Sequence, residues 1–174
     1  MMATNNDIKY VSFTFENEEQ SNISPNDVEV EVTALEQYKI AEYKFNSSID
    51  TLFSKVNEGF VYTHTDIDNG DGTITRTIYS DQLPTEIRFE GCEGLLEVLY
   101  LNTSELTTLR KTFKNCYNVT SINTTDWDTS KVTSFYEAFG DCNLLTTLDV
   151  SNFNTSNVTD MGNMFYNCQS PKAS

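Results

Sequence analysis

The sequence predicts a mainly β protein, in which an N-terminal antiparallel β-domain is followed by a short solenoid with short helical turns. Two observations favour this fold class. The second half of the chain repeats with a period of 26 residues, and the first half lacks that period but carries runs of alternating apolar and polar residues. A unit this short cannot bury an apolar face alone and must stack on its neighbours. We therefore expect a β-rich attachment domain at residues 1–86 and a solenoid of about three coils at residues 87–174.

The N-terminal strands are predicted from alternation, which places the apolar residues of a strand on one face. Candidate strands cover residues 8–15, 28–32 and 38–45, and a short helix is predicted over residues 50–56. Two further alternating runs, at residues 60–67 and 73–79, flank the turn Asp-Asn-Gly-Asp-Gly. Because Gly-rich turns between such runs are typical of β-hairpins, these two runs are predicted to pair.

The two best repeat copies end at Cys142 and Cys168, and their apolar positions match one for one. Each copy is predicted to contain a short strand (residues 119–123 and 145–150) and a second extended stretch (residues 131–135 and 157–161). The segment ending in Phe-x-x-Cys is predicted to form a helical turn.

The four cysteines follow the repeat, with spacings of 24, 26 and 26 residues, and each lies three residues after a phenylalanine. A zinc site needs close pairs such as Cys-x-x-Cys, and this sequence has none. The repeat positions favour a column of small buried thiols. Disulfides between neighbouring coils are the alternative. The residues are Cys92, Cys116, Cys142 and Cys168.

The charge of the chain excludes several classes of partner. A net charge of −15 and a pI near 4.2 argue against binding nucleic acid or anionic lipid headgroups, both of which require clustered Lys and Arg. The first residues contain neither a basic region nor an apolar run, and no stretch is apolar enough to span a bilayer. We expect no secretory signal and no membrane insertion.

The repeat resembles that of the BspA-like bacterial surface proteins. Residues 145–168 read Leu-Thr-Thr-Leu-Asp-Val-Ser-Asn-Phe-Asn-Thr-Ser-Asn-Val-Thr-Asp-Met-Gly-Asn-Met-Phe-Tyr-Asn-Cys, close to the typical wording of that repeat. Residues 119–142 match well, and residues 92–116 keep the apolar spacing. The resemblance implies a leucine-rich-repeat-like solenoid of the kind found in bacterial adhesins and in proteins of phages that infect such bacteria. It implies no catalytic residue.

No catalytic constellation is predicted. His64, the single histidine, lies in the hairpin, and there is no Gly-x-Ser-x-Gly motif. Asp66, Asp68 and Asp71 resemble part of a calcium loop, but Gly70 stands where a ligand is required and the closing Glu is missing. An acidic hairpin turn is therefore favoured over a metal site, and no cofactor is expected.

Two sets of residues are candidates for binding a ligand or partner. Ser121, Asn123, Thr147 and Asp149 are predicted to point outward from the repeat strands, in register across neighbouring coils. Trp127 and Phe153 occupy equivalent corners, where they either pack in the core or form a platform for a ligand such as a sugar ring.

The end of the repeats predicts association. Only six residues follow Cys168, so the strand of a next coil is expected to be missing and the last coil to be covered by a partner or an identical subunit. These features predict a non-enzymatic structural and interaction protein, most consistent with a phage virion component, such as a capsid- or tail-attached appendage. Its expected partners are other virion or surface proteins, identical subunits, and a glycan or protein of a host-cell surface. A bacterial cell-surface adhesin module is the alternative, and a glycan-active enzyme is the third hypothesis.

Overall fold

The computed structural model describes residues 37–49, 55–169 and 172–173, and this part of the chain is mainly β. Its strands are β1 Tyr38–Asn46, β2 Lys55–Val56, β3 Thr63–Asp68, β4 Thr73–Ser80, β5 Ile87–Arg88, β6 Leu95–Leu101, β7 Ser121–Ile122, β8 Thr147–Leu148 and β9 Lys172–Ala173. None of the described residues lies in a helix, and hence none lies in a helix able to cross a membrane.

The largest sheet has five strands in the order β3-β4-β1-β6-β7. The predicted hairpin is confirmed: β3 and β4 pair antiparallel from Thr63↔Tyr79 to Asp68↔Ile74. The strand predicted at residues 38–45 is also confirmed, as β1, which pairs antiparallel with both β4 and β6. The last strand, β7, pairs with β6 in parallel. Strands from both sides of residue 86 therefore share one sheet.

One hydrophobic core runs beneath this sheet and into the repeats. Tyr43 and Phe45 on β1 and Ile78 on β4 are fully buried, in the same cluster as Phe89 and Leu95. The rings of Tyr43 and Phe89 meet edge to face at a centroid distance of 5.1 Å. All the described residues belong to one compact unit, Gln37–Ser174, and the boundary predicted at residue 86 lies within it.

Other N-terminal predictions have mixed outcomes. The predicted strands at residues 8–15 and 28–32 lie outside the described residues, as do residues 50–54 of the predicted helix. The last two residues of that helix, Lys55 and Val56, instead form β2, which pairs antiparallel with β5. Extended backbone is favoured here because pairing with β5 satisfies backbone groups that a single helical turn would leave without partners.

The strands of the repeats are short and do not form one continuous parallel sheet within the described residues. β7 and β8 lie inside the predicted ranges 119–123 and 145–150, but only two residues of each are paired as strand. β7 pairs with β6, whereas β8 pairs with β9. The second extended stretch is reduced to a single parallel bridge, Ser134↔Asp160.

Four turn segments supply most of the backbone hydrogen bonds that join one repeat to the next. We number them turn segments 1 to 4; they cover residues 85–92, 107–116, 133–142 and 159–168. Alternate N–H groups of turn segments 1 to 3 donate to the segment that follows. In turn segment 2 the donors are Leu109, Lys111, Phe113 and Asn115, and the acceptors are the carbonyls of Ser134, Tyr136, Ala138 and Gly140, at 2.8–2.9 Å.

The predicted helical turns are therefore wrong for these segments, which are successions of tight turns. The intervening N–H groups, such as those of Thr112 and Cys116, donate three residues back within their own segment. A helix would keep all its interior N–H groups for itself and leave none for the next repeat. Residues in the left-handed region, with φ of 52–60°, break any helix in turn segments 2 to 4; they are Lys111, Asn115, Glu137, Asp141, Asn163 and Asn167.

A column of threonines runs alongside these turns. In Thr107, Thr133 and Thr159 both the N–H and the side-chain hydroxyl donate to the carbonyl of the preceding threonine in the column, beginning with Thr85. The hydroxyl distances are 3.1–3.3 Å. Each step therefore satisfies two donors with one carbonyl and fixes the alignment of neighbouring turn segments.

Aromatic rings and thiols fill the space enclosed by the turns. The rings of Phe89, Phe113, Phe139 and Phe165 stack at centroid distances of 5.5, 5.8 and 5.6 Å, with interplanar angles of 7–10°. The cysteines form the predicted column, and none of the four is in a disulfide in the described part of the chain. Each thiol from the second onward donates to a phenylalanine carbonyl one repeat earlier, at 2.9–3.1 Å.

Candidate interaction surface

The four outward positions predicted on the repeat strands are exposed. Ser121 and Thr147 each precede a buried residue, Ile122 and Leu148, so their side chains lie on the solvent face. Ser121 is in register with Glu97 of β6. This face therefore carries short polar side chains beside a carboxylate, an arrangement suited to hydrogen bonding with a polar partner.

Asn123 and Asp149 share that face, but their side chains also build the turns after β7 and β8. The Asn123 side chain accepts from the N–H of Thr125 at 3.1 Å and donates to the Leu99 carbonyl at 3.1 Å. Asp149 accepts from the N–H of Ser151 at 2.9 Å, and hydrogen bonds from that serine hold the pKa of its carboxyl below the ordinary value. These two residues are thus partly occupied by structural roles that their spacing alone did not reveal.

Trp127 lies in the core, as the packing alternative predicts. Its side chain is 5% exposed and stacks on Phe153 at a centroid distance of 5.7 Å. Phe153 is half-buried and also stacks on Phe135 at 5.4 Å. A ring covered on its face by another ring cannot stack on a sugar, so Trp127 is not a ligand platform in this conformation. Its indole N–H has no hydrogen-bond partner among the described residues.

The three aspartates of the hairpin have separate roles. Asp66 accepts two hydrogen bonds from the Arg76 guanidinium, at 2.8 and 2.7 Å, and those hydrogen bonds hold the pKa of its carboxyl below the ordinary value. Asp68 accepts from the N–H of Gly70, and Asp71 accepts from Thr73. Within the described residues, no group of three or more His, Cys, Asp or Glu side chains is placed to hold a metal ion.

The other titratable residues considered from the sequence are His64 and the cysteines. His64 is exposed on β3, in register with Ile78 of β4. Burial raises the pKa of the Cys92 thiol to about 11, and burial also raises the pKa of the Cys116 and Cys142 thiols well above the ordinary value. Because the thiolate is the reactive form of cysteine, these buried thiols are poor nucleophiles and poor metal ligands at neutral pH.

The end of the repeats differs from its prediction. The strand expected to be missing after Cys168 is present as β9, which pairs in parallel with β8 through Thr147↔Lys172 and Leu148↔Ala173. A two-residue pairing is enough to place backbone beside β8, which the short remaining sequence did not suggest.

Turn segment 4, by contrast, has an open edge. Its carbonyls at Asp160, Gly162, Met164 and Tyr166 accept from turn segment 3. The N–H groups of its alternate residues have no hydrogen-bond partner within the described part of the chain, although their equivalents in turn segments 2 and 3 are all bonded; these residues are Met161, Asn163, Phe165 and Asn167. The sequence predicted an open last coil but placed the exposed backbone at a missing strand, because nothing in a linear pattern shows which N–H groups point along a stack.

Apolar side chains accompany the open edge. Met161 is 45% exposed, and Phe165, the last ring of the phenylalanine column, is 37% exposed. Their equivalents in turn segment 3, Phe135 and Phe139, are fully buried. Four backbone donors and an exposed end of the core therefore lie together at turn segment 4.

Comparison with known proteins gave one finding for this chain. The family model described as "Mycoplasma protein of unknown function, DUF285" matches residues 86–173, slightly more than half of the chain. Neither the curated proteins nor the solved structures gave a significant match. The matched range begins next to β5 and includes all four turn segments except the first residue of turn segment 1.

Proposed function

The chain belongs to the DUF285 family, and on that premise we propose that it is a non-enzymatic structural and interaction protein that presents a repeat surface for attachment or assembly. The observation that carries the proposal is the way in which the repeats use their polar groups. Backbone N–H groups, threonine hydroxyls and thiols bond from repeat to repeat, so these groups build the stack and are not free for chemistry.

The proposed architecture is a short BspA-like solenoid built from turn segments. Stacked phenylalanines and thiols support this interpretation, because both recur at equivalent positions. Each phenylalanine ring stacks on its counterpart in the next repeat, and each thiol from Cys116 onward donates to a phenylalanine carbonyl of the preceding repeat. The strands β7 and β8 are only two residues long and form few hydrogen bonds between coils. The turn segments would therefore supply most of these hydrogen bonds. Such stacks extend a surface by repetition, which suits display and recognition.

The proposed partners are other proteins of a particle or cell surface, identical subunits among them, and a glycan or protein of a host cell. The outward face with Ser121 and Thr147 supports a polar partner, since its exposed groups are hydroxyls beside a carboxylate. The net charge of −15 supports a partner that is neither nucleic acid nor an anionic membrane.

The proposed location is a phage particle, with the bacterial cell surface as the alternative. An acidic, self-repelling exterior suits both settings. Quantitative mass spectrometry on purified particles and on washed cell envelopes of the source organism tests the location. We expect a fixed number of copies per particle, whereas a signal confined to envelopes would favour the adhesin, and absence from both would overturn the proposed role in assembly.

A second test addresses the absence of catalysis. The purified chain, incubated with glycans from the source's host surface, is expected to leave their size distribution unchanged by chromatography. A shortened glycan whose formation follows the concentration of the chain would overturn the non-enzymatic proposal.

A further inference from the structure

We propose that the open edge of turn segment 4 is a docking edge for one more turn segment of the same repeat type, and that it binds such a segment when a second polypeptide supplies it. The edge consists of the N–H groups of Met161, Asn163, Phe165 and Asn167, which have no hydrogen-bond partner among the described residues, together with the exposed side chains of Met161 and Phe165. The inference rests on the stacked repeats proposed above and goes further by naming the docking edge and the chemistry of its partner.

The alternate N–H groups of the turn segments all donate in one direction, to the segment that follows. The threonine and thiol columns donate in the opposite direction, to the segment before. Turn segment 1 donates to turn segment 2, through Phe89 to Thr112 at 2.6 Å and Gly91 to Lys114 at 2.8 Å. Turn segments 2 and 3 donate in the same direction, to turn segments 3 and 4. The final edge therefore offers only donors at its alternate positions, and its partner must offer carbonyl acceptors at alternate residues.

An identical copy is a poor partner for this edge. Stacking head to tail requires a free edge on turn segment 1, but β5 in that segment is already paired with β2. Stacking tail to tail would place donors against donors. The net charge of −15 on each chain adds long-range repulsion to either arrangement.

A turn segment of the same repeat type supplies the carbonyl acceptors and the stacking ring that the open edge lacks. In such a segment alternate carbonyls point toward the preceding repeat, as those of Asp160 and Gly162 point toward turn segment 3. It also brings a phenylalanine to continue the column that ends at Phe165. Main-chain hydrogen bonds with alternate side-chain contacts are the usual basis for adding a chain segment to an open edge. β9 already pairs with β8, so the partner needs to provide only the turn segment.

The test measures amide hydrogen exchange by NMR on the full chain, alone and with a synthetic peptide. The peptide has the sequence of residues 155–168 and is kept reduced; a scrambled peptide is the control. We expect the four edge amides to exchange rapidly in the free chain, while those of Phe135 and Phe139 are protected by their bonds to turn segment 4. At a free peptide concentration about ten times the Kd, exchange of the edge amides is expected to slow about tenfold, because only the unbound fraction exchanges.

Each other outcome overturns the proposal and identifies another occupant. Edge amides already protected in the dilute free chain would mean that another part of this chain covers them. Protection that rises with chain concentration, without peptide, would mean that a second copy is the occupant. Rapid exchange at every peptide concentration would mean that the edge binds no such segment.

A pair of exposed variants tests the position of binding. Met161→Asp places a charge on the edge, where Met161 is 45% exposed, and is expected to abolish the peptide-dependent protection. Ile67→Asp places the same charge on β3, where Ile67 is 63% exposed, and is expected to leave protection unchanged. Equal protection in both variants would overturn the assignment of the edge. The cellular location plays no part in this experiment, so it succeeds or fails independently of the virion proposal.

Discussion

At the scale of single residues, the repeat places several polar atoms where their partners come from a neighbouring repeat and not from nearby sequence. The Cys142 thiol, for example, donates to the carbonyl of Phe113 at 3.1 Å. The indole N–H of Trp127 is an exception, because it is buried and has no hydrogen-bond partner among the residues that the structure describes. Buried donors without partners cost stability, so this residue should respond unusually to substitution.

Replacing Trp127 with Phe is expected to change the free energy of unfolding by less than about 1.5 kcal/mol, because the loss of ring volume is offset by removal of an unpaired donor. Trp127→Ala removes the whole stacked ring and is expected to cost about 3–5 kcal/mol. Phe113→Leu, which shrinks a fully buried ring without removing a polar atom, is the matched control and should cost more than Trp127→Phe. Urea unfolding measures all three; equal losses for Trp127→Phe and Trp127→Ala would show that the indole N–H has a partner.

The thiol column predicts a loss of stability at alkaline pH. Burial raises the pKa of Cys92 from 9.0 to about 11, so between these values the unfolded chain has lost a proton that the folded chain retains. The stabilisation from this thiol is complete below about pH 9 and is lost as the pH rises through 11. Unfolding free energies of the wild type and Cys92→Ser should therefore converge from pH 9 to 11. Cys116 and Cys142 act in the same direction, so the unfolding free energy of Cys92→Ser should still fall with rising pH, but less steeply than that of the wild type. An equally steep fall in the variant would contradict the assignment of this pH dependence to Cys92.

At the scale of elements, the hairpin and the turn segments show where sequence patterns succeed and fail. The hairpin was predictable because its strands are adjacent in sequence and its turn is rich in glycine. β1 was also predictable, but its pairing with β6 was not, since the paired residues lie about fifty to sixty positions apart. The helical turns were predicted wrongly because the apolar spacing in Phe-x-x-Cys imitates a helical face. Only the hydrogen bonds to the next repeat show that alternate N–H groups are needed elsewhere.

The hairpin is fastened by an ion pair whose removal should be measurable. The Arg76 side chain is 6% exposed and holds the Asp66 carboxylate by two hydrogen bonds. Asp66→Asn is expected to lower the free energy of unfolding by about 1.5–3 kcal/mol, since hydrogen bonds to charged groups are worth that much. Asp68→Asn, at the exposed end of the same strand, is the control and should change it by less than about 0.5 kcal/mol.

The pH dependence of that loss has a definite sign. The pKa of Asp66 is lowered from 3.8 in the folded chain, so its stabilisation is present above pH 3.8 and disappears as the pH falls through the lowered value. The difference between wild type and Asp66→Asn should therefore shrink below about pH 3.8. A difference that stays constant to pH 2 would mean that the carboxylate charge is not what Arg76 recognises.

At the scale of the whole molecule, the sheet and the repeats depend on each other. Leu95 and Val98 of β6 belong to the same buried cluster as Tyr43 and Phe45 of β1, and β6 is also the strand on which β7 pairs. A division at residue 86 would leave β6 with one side unpaired and its core residues uncovered. The polar face of the candidate site could be predicted from alternation, and an open last coil from the short remaining sequence. The position of the open edge on turn segment 4 could not, because it is defined by bonds that the other turn segments make.

This dependence predicts how fragments behave. A chain of residues 87–174 is expected to lack cooperative thermal unfolding by circular dichroism, because it has lost β1 and the apolar residues that cover β6. A chain of residues 37–174 keeps both and is expected to unfold cooperatively. Cooperative unfolding of the shorter fragment would support an independent repeat domain that begins at residue 87.

The threonine column has a consequence for how such a chain evolves. From Thr107 to Thr133 and from Thr133 to Thr159 the step is 26 residues, and each step is fixed by two donors meeting one carbonyl. A single inserted or deleted codon between two of these threonines would pull the donors away from their acceptor or force a bulge. Whole copies can be gained or lost without that penalty, so a coding sequence of this type should change length in steps of 26 codons.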